Sequence, residues 1–328
     1  MSNVALKNQR LGWVGTGRMG FLLAKRLLEA GCDVSVYNRT RSKAEPLVEL
    51  GATIADSPAE LGDRDIVFTM VADSADFEAV VLGENGLLSR RGVAPGIIVD
   101  STTISAAVAA DVRAKAAEYG AAILAAPVSG NPKVVKAGKL TIVVSGPGDA
   151  FEQSLPFLEA MAAGVTYVGE GDLARLVKIC HNVMLGVVSQ CMAEITVLAE
   201  KGGVPRSALL EFLNQSVMGS VFTRYKTPSF VNLDFKPTFT PPLLLKDLDL
   251  GLEAARESEV PMPVTAATAE VVSGMIASGY REVDFSALLE VEAKAAGLEL
   301  ESEDVIVGDG LSDAPSSDGA VVGGKAER

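Results

Sequence analysis

The sequence predicts an α/β fold: a doubly wound parallel sheet in the first half and an all-α second half, joined by a long interdomain helix. Three observations carry this. From Leu11 to about Gly169 short β-rich runs alternate with helix-length segments. Those runs are apolar without strict alternation, as strands covered on both faces are. After Gly169 the strand signal stops and only helical patterns continue.

The strand runs are 11–14, 34–37, 66–70, 97–100, 121–124, 140–144 and 165–168, with helical segments at 19–30, 105–119 and 149–161 between them. Gly171 and Asp172 then open a proline-free run to Lys201, closed by Gly202-Gly203-Val204-Pro205. That is a long helix with a clear start and stop. Shorter helical patterns follow at 207–215, 243–257, 264–278 and 285–296. From 301 the chain turns Gly/Ser/Asp-rich and carries seven acids against Lys325 and Arg328. The expected organisation is a dinucleotide-binding domain over 1–169, a helical domain over 170–300 and an acidic flexible tail over 301–328.

Composition bounds the function. The chain has 328 residues, 29 basic and 42 acidic, for a net charge of −13. With 48% hydrophobic and 22% charged residues it is an ordinary globular chain of about two domains. A pI near 4.7 argues against nucleic acid as a partner. One histidine and three scattered cysteines (Cys32, Cys180, Cys191) supply no metal cluster and fit a reducing compartment. Residues 1–9 are polar, and the apolar stretch 183–199 is interrupted by Ser189, Gln190, Glu194 and Thr196. It falls short of the ~20 residues of a membrane span. A soluble, cytoplasmic protein is expected.

The first chemical signal is Gly15-Thr16-Gly17-Arg18-Met19-Gly20, a G-x-G-x-x-G turn directly after the first strand and at the opening of a helix. Gly15 permits the tight turn, Gly17 lets backbone approach a pyrophosphate, and Gly20 lets helix and strand pack closely. Phosphates would face free N–H groups at the helix's positive end. The second strand ends Tyr37-Asn38-Arg39-Thr40-Arg41-Ser42-Lys43, with no carboxylate to bind a ribose 2′-hydroxyl. Guanidinium groups suit a 2′-phosphate instead. NADP is favoured over NAD, with Arg39 first and Asn38, Thr40, Arg41 and Lys43 around it; a solvated helix start is the plain alternative.

Lys178 and Asn182 lie four apart early in the long helix and share a face. A desolvated lysine there can exchange a proton with a carbonyl or alcohol oxygen while the amide orients it. Spacing alone leaves an ordinary helix surface as the simpler reading.

Taken in order, Gly15 to Gly20, Asp100-Ser101-Thr102-Thr103, Pro127-Val128-Ser129-Gly130, Lys178 with Asn182, and Lys246-Asp247 resemble the motifs of the β-hydroxyacid dehydrogenases. This 3-hydroxyisobutyrate dehydrogenase-like family belongs to the 6-phosphogluconate dehydrogenase superfamily, and the likeness runs from about 10 to 297. It implies a Rossmann-type first domain and catalysis by Lys178. It also implies substrate binding by Ser129, Gly130 and Asn182, and cofactor contacts from Met70, Val71, Thr103 and Lys246. Asn131 stands where many relatives have a second glycine; it is expected to hold substrate with Ser129, Gly130 and Asn182 and to reshape the carboxylate pocket. His181-Asn182 is similar to the pair in 6-phosphogluconate dehydrogenase, but Leu185 replaces that enzyme's acid. His181 is expected to be a local hydrogen-bonding residue.

The reading is therefore an NADP-preferring oxidoreductase that interconverts a small β-hydroxy acid and its semialdehyde, as a homodimer or homotetramer, without metal, membrane or nucleic acid. An imine or other carbonyl reductase on the same fold stays open, although imine reductases usually replace the lysine. So does a regulatory module without chemistry. The segment 222–226 is left between a substrate contact and a polar surface.

Overall fold

Six short strands line up in parallel because the central ones are apolar on both faces and each is returned by a helix or a short 3₁₀ turn. In the computed structural model, which describes Leu6 and residues 9–311, they are β1 (Arg10–Val14), β2 (Asp33–Tyr37), β3 (Thr53–Ile54), β4 (Ile66–Thr69), β5 (Ile97–Asp100) and β6 (Ala122–Ala125). Their spatial order is β3-β2-β1-β4-β5-β6. The order reverses direction between β1 and β4, and ligands of such sheets bind at the carboxyl ends of the strands beside that reversal. Trp13 on β1 stacks on Phe68 of β4 at 5.6 Å and anchors the core.

The runs at 140–144 and 165–168 do not extend this sheet. They form β8 (Thr141–Val144) and β9 (Gly164–Tyr167), which pair with each other and, through β8, with antiparallel β7 (Val128–Ser129). Pro127 has no N–H to donate where a continuing ladder would need one. An isolated bridge between Ala125 and Ser145 joins the two sheets. The accompanying helices are α1 (Gly20–Glu29), α2 (Ser74–Leu82), α3 (Ala106–Glu118), α4 (Pro132–Lys136) and α5 (Gly148–Met161).

Helices follow: α6 (Leu173–Lys201), α7 (Arg206–Gln215), α8 (Val221–Asn232), α9 (Pro241–Glu257), α10 (Pro263–Ala277) and α11 (Leu288–Ala295). Two compact units result. One comprises residues up to Val187 together with Leu244–Glu270, and the other Val188–Leu243 with the chain from Val271 on. The first unit therefore includes the start of α6 and most of α9, not the two sheets alone. By length and composition α6 is apolar enough to cross a bilayer, more so than the run 183–199 suggested, and its 18-residue window has mean hydropathy 1.5. Its first half nevertheless carries Arg175, Lys178, His181 and Asn182.

In the first unit α6 and α9 approach closely. A side chain at Gly251 would stand 2.3 Å from Val183 Cγ2, so only glycine admits this contact. In the second unit α8 forms over the segment left open by sequence, held by a Ser220/Thr223 capping box. Lys226 is turned inward rather than to the surface. It pairs with buried Asp284 and lies 4.1 Å from the centre of the Phe285 ring. Buried Arg206 binds Glu200 and the carbonyls of Phe230 and Val231. Glu303 accepts from the N–H groups of Arg206 and Ser207, so the expected tail is docked at its start. Its remainder, 312–328, lies outside the described residues.

Burial alone would raise the Asp284 carboxyl, but Lys226 and the bonds from Thr238 and Ser286 outweigh it and hold it below the usual range. Its contribution is complete above the unfolded pKa near 4 and is lost as pH falls through the lower folded value. Asp284→Asn, which takes the carboxylate from a buried ammonium, is expected to lower stability by about 3–5 kcal/mol, measured as a fall in the urea midpoint.

Candidate active site

The glycine turn is built as its sequence requires. Gly15 has φ +98°, and a Cβ there would stand 2.2 Å from the carbonyl oxygen of Met70. The turn therefore lies directly on the end of β4, and Met70 and Val71 are brought against it. Trp13 Nε1 donates to the Gly15 carbonyl at 2.8 Å, and Asn38 Oδ1 accepts from the Thr16 N–H at 2.9 Å. Above Gly17 the space a Cβ would fill is open, and the buried Thr16 hydroxyl has no partner among the described residues. An open approach to backbone, an unpaired hydroxyl and the start of α1 fit a dinucleotide's phosphates. Arg18, Met19 and Gly20 form that start.

Asn38 closes the turn, and its Nδ2 donates to the Thr40 carbonyl. Arg39 is 81% exposed and pairs with Asp76 on α2 at 2.9 Å; Arg41 pairs with Asp56. Thr40 and Lys43 are exposed beside them. The cations lie just after β2, and an acid that sequence reading missed already engages the first of them.

The second cluster is a chain of hydrogen bonds. Asn182 Nδ2 donates to Asp247 Oδ2 at 2.7 Å, which leaves Asn182 Oδ1 to accept. Oδ1 lies 2.9 Å from His181 Nδ1, so that nitrogen carries the proton of the neutral imidazole. Nε2 is then the acceptor, and the Ser129 hydroxyl donates to it at 2.8 Å. The chain Ser129–His181–Asn182–Asp247 joins β7, α6 and α9. Asn131 does something else: its Oδ1 caps α4, accepting from the N–H groups of Lys133 and Val134. It shapes the loop rather than aiming that oxygen at a ligand.

Lys178 lies one turn before Asn182, without an ion pair among the described residues. Burial pulls its ammonium down from 10.5 to about 8, with Asp247 pulling the other way. Burial also raises the Asp247 carboxyl, against Lys246, the Asn182 bond and Lys178. His181 is lowered by burial and by Lys178, opposed by Asn182. The arrangement thus holds a lysine able to give or take a proton near neutral pH, next to an imidazole kept neutral.

Nearer the sheet, Arg175 on α6 binds fully buried Asp100 at the end of β5 at 2.7 Å and the Thr102 carbonyl at 2.7 Å. Thr103 follows, exposed. Lys246 is exposed beside Asp247. Every candidate residue lies in the first unit. The structure brings Ser129 to Asn182 and the glycine turn to Met70, Val71 and Asn38. Asp76 and Arg175 were not singled out in sequence, and Asp100 and Asp247 appeared only within motifs with no role of their own: partners 37 to 75 residues apart leave no spacing signal.

Comparison with known proteins agrees with this geometry. Residues 10–169 match the NAD binding domain of 6-phosphogluconate dehydrogenase, and 172–291 match the NAD-binding domain of NADP-dependent 3-hydroxyisobutyrate dehydrogenase. The chain is 32% identical to glyoxylate/succinic semialdehyde reductase 2 of Arabidopsis thaliana over 85% of its own length and 78% of the relative's. It resembles the Mycobacterium tuberculosis 3-hydroxyisobutyrate dehydrogenase solved with L-serine, with TM-score 0.73, 28% identity and coverage of 86% and 98% of the two chains. It is also similar to Psf3, solved with NADP+, with TM-score 0.72, 26% identity and coverage of 86% and 99%.

Proposed function

The chain belongs to the 3-hydroxyisobutyrate dehydrogenase-like family of NAD(P)-dependent oxidoreductases acting on CH–OH groups, and from that membership we propose that it interconverts a small β-hydroxy acid and its semialdehyde with NADP. The observation that carries the proposal is Lys178, an ammonium lowered to about 8 without an ion pair among the described residues. The nicotinamide, when bound, supplies or takes up the hydride. Lys178 gives its proton to the carbonyl oxygen in reduction and recovers it from the alcohol in oxidation. Asn182 has one amide N–H committed to Asp247 and offers the other to the reacting oxygen. The Ser129 hydroxyl, turned from His181 Nε2, and the Gly130 N–H hold the substrate carboxylate. Gly15 to Gly20, Met70, Val71, Thr103 and Lys246 hold the dinucleotide. L-serine, the ligand of one relative, is itself a small β-hydroxy acid. The exposed thiols of Cys180 and Cys191 suit a reducing, cytoplasmic compartment.

Self-association belongs to the same proposal. Leu173, Val177, Met184 and Leu198 form an exposed apolar stripe along α6, a surface for a second copy of the chain.

Four outcomes follow. Lys178→Met is expected to lower kcat by about 10²–10⁴-fold while NADPH affinity, read by fluorescence titration, holds; unchanged turnover sinks the assignment. Because the acid form prevails below the lysine's pKa, wild-type carbonyl reduction should decline as pH rises through about 8, and alcohol oxidation should rise through the same range. Arg39→Ala should weaken NADPH by about 1.5–3 kcal/mol more than NADH, whereas equal losses would make Arg39 surface charge only. Leu198→Glu should shift the mass seen by light scattering toward the monomer.

A further inference from the structure

Arg175 precedes Lys178 by three residues on α6 and has no part in the proton transfer, yet it is one of the most heavily bonded side chains in the first unit. It is 11% exposed. Nε donates to Asp172 Oδ1 at 3.0 Å, one terminal nitrogen to the Thr102 carbonyl at 2.7 Å, and the other to Asp100 Oδ2 at 2.7 Å. Asp172 also accepts from Arg113 on α3. Asp100 has no exposed surface, and its other oxygen accepts from the Thr69 hydroxyl at 2.8 Å and the Thr102 N–H at 3.1 Å. The Thr102 hydroxyl in turn accepts from the Val71 N–H at 3.1 Å. One planar cation therefore ties the first turn of α6 to the segments that follow β4 and β5.

We propose that Arg175 is a positioning residue, which fixes the Lys178 amine relative to the strand ends that carry Val71 and Thr103. The inference rests on the reading of Lys178 as the acid/base group. A buried carboxylate deprived of its cation is unfavourable, so this tie does not open readily. Its directionality comes from the guanidinium fork, which meets a carbonyl and a carboxylate at once; an ammonium on a flexible stem cannot reproduce that plane. Lys178 lies less than one helical turn further on, so a tilt at the start of α6 reaches the amine almost undiminished. Hydride and proton transfer both demand close alignment, and a misplacement of about 1 Å is enough to slow a reaction about 10²-fold. Ser145 adds a second tie, its hydroxyl accepting from the Ala174 N–H and donating to the Gly171 carbonyl. That contact restrains the backbone of the helix start but leaves rotation about its axis to Arg175.

The test uses two variants of the full chain. Arg175→Lys keeps a cation against Asp100 but removes the fork. Arg175→Gln with Asp100→Asn removes both charges together, so no bare ion is left buried. For each, kcat and KM are measured with succinic semialdehyde, NADPH affinity is measured by fluorescence titration without substrate, and the melting temperature is recorded. The expected result is a fall in kcat of about 10–100-fold with KM and NADPH affinity within about threefold of wild type. Unchanged kcat in both variants overturns the proposal. So does a parallel loss of kcat, NADPH affinity and melting temperature, which would make Arg175 a general brace. Lys178→Met, run alongside, separates the two readings: if it is inactive while the Arg175 variants are unaffected, only the positioning role falls, and if it is active the acid/base reading itself falls.

Discussion

Water leaving an ammonium group takes favourable free energy with it, and the protein must either return that energy through a carboxylate or accept a weaker base. Lys178 meets the second condition. Asp247 acts on it but is bonded to Asn182, and its own carboxyl is raised by the same burial. Gly251 lets α9 lie close against α6 at Val183, about one turn beyond Lys178. Much of the site follows from that one packing contact. Asn182 reaches Asp247, its oxygen selects the His181 tautomer, and the imidazole then accepts from the Ser129 hydroxyl. Each group is oriented by the one before it, beginning from a helix crossing.

The glycine turn is a separate construction with a different logic. There the backbone is the functional group, and side chains serve to hold it still. Trp13 bonds a carbonyl of the turn, Asn38 bonds an N–H, and Met70 leaves room only for a residue without Cβ. These contacts hold the turn in shape without a ligand, which lowers the ordering that binding must impose.

Much of the fold was legible in sequence because it is local. Apolar runs without alternation located all but the two shortest strands of the main sheet and its smaller neighbour, and the long α6 was marked by its own start and stop. The division into two sheets was not legible. Strands 140–144 and 165–168 have the same apolar character as the others, and only the proline at 127 hinted that the ladder breaks. The helix over 221–232 was missed because Pro228 and a polar run hide its periodicity, and Lys226, left between a substrate contact and a polar surface, has its buried partner 58 residues away. The site divided in the same way. Motifs gave Gly15, Ser129, Lys178 and Asn182, whose residue types are demanded by chemistry. The residues that orient them, Asp247, Asp100 and Arg175, are ordinary charged residues whose meaning comes only from what lies opposite.

Arg39 reaches from solvent to a half-buried Asp76, and this arrangement reaches beyond the contact itself. In the role proposed for Arg39, the carboxylate is a resident competitor for the guanidinium, which an incoming phosphate would have to displace. Both attractions are exposed and both weaken as ions crowd the surface. In the 2′-phosphate role proposed for Arg39, discrimination between the two nicotinamide dinucleotides would be shared between the chain and its medium, with ionic strength tuning it and no change in the protein.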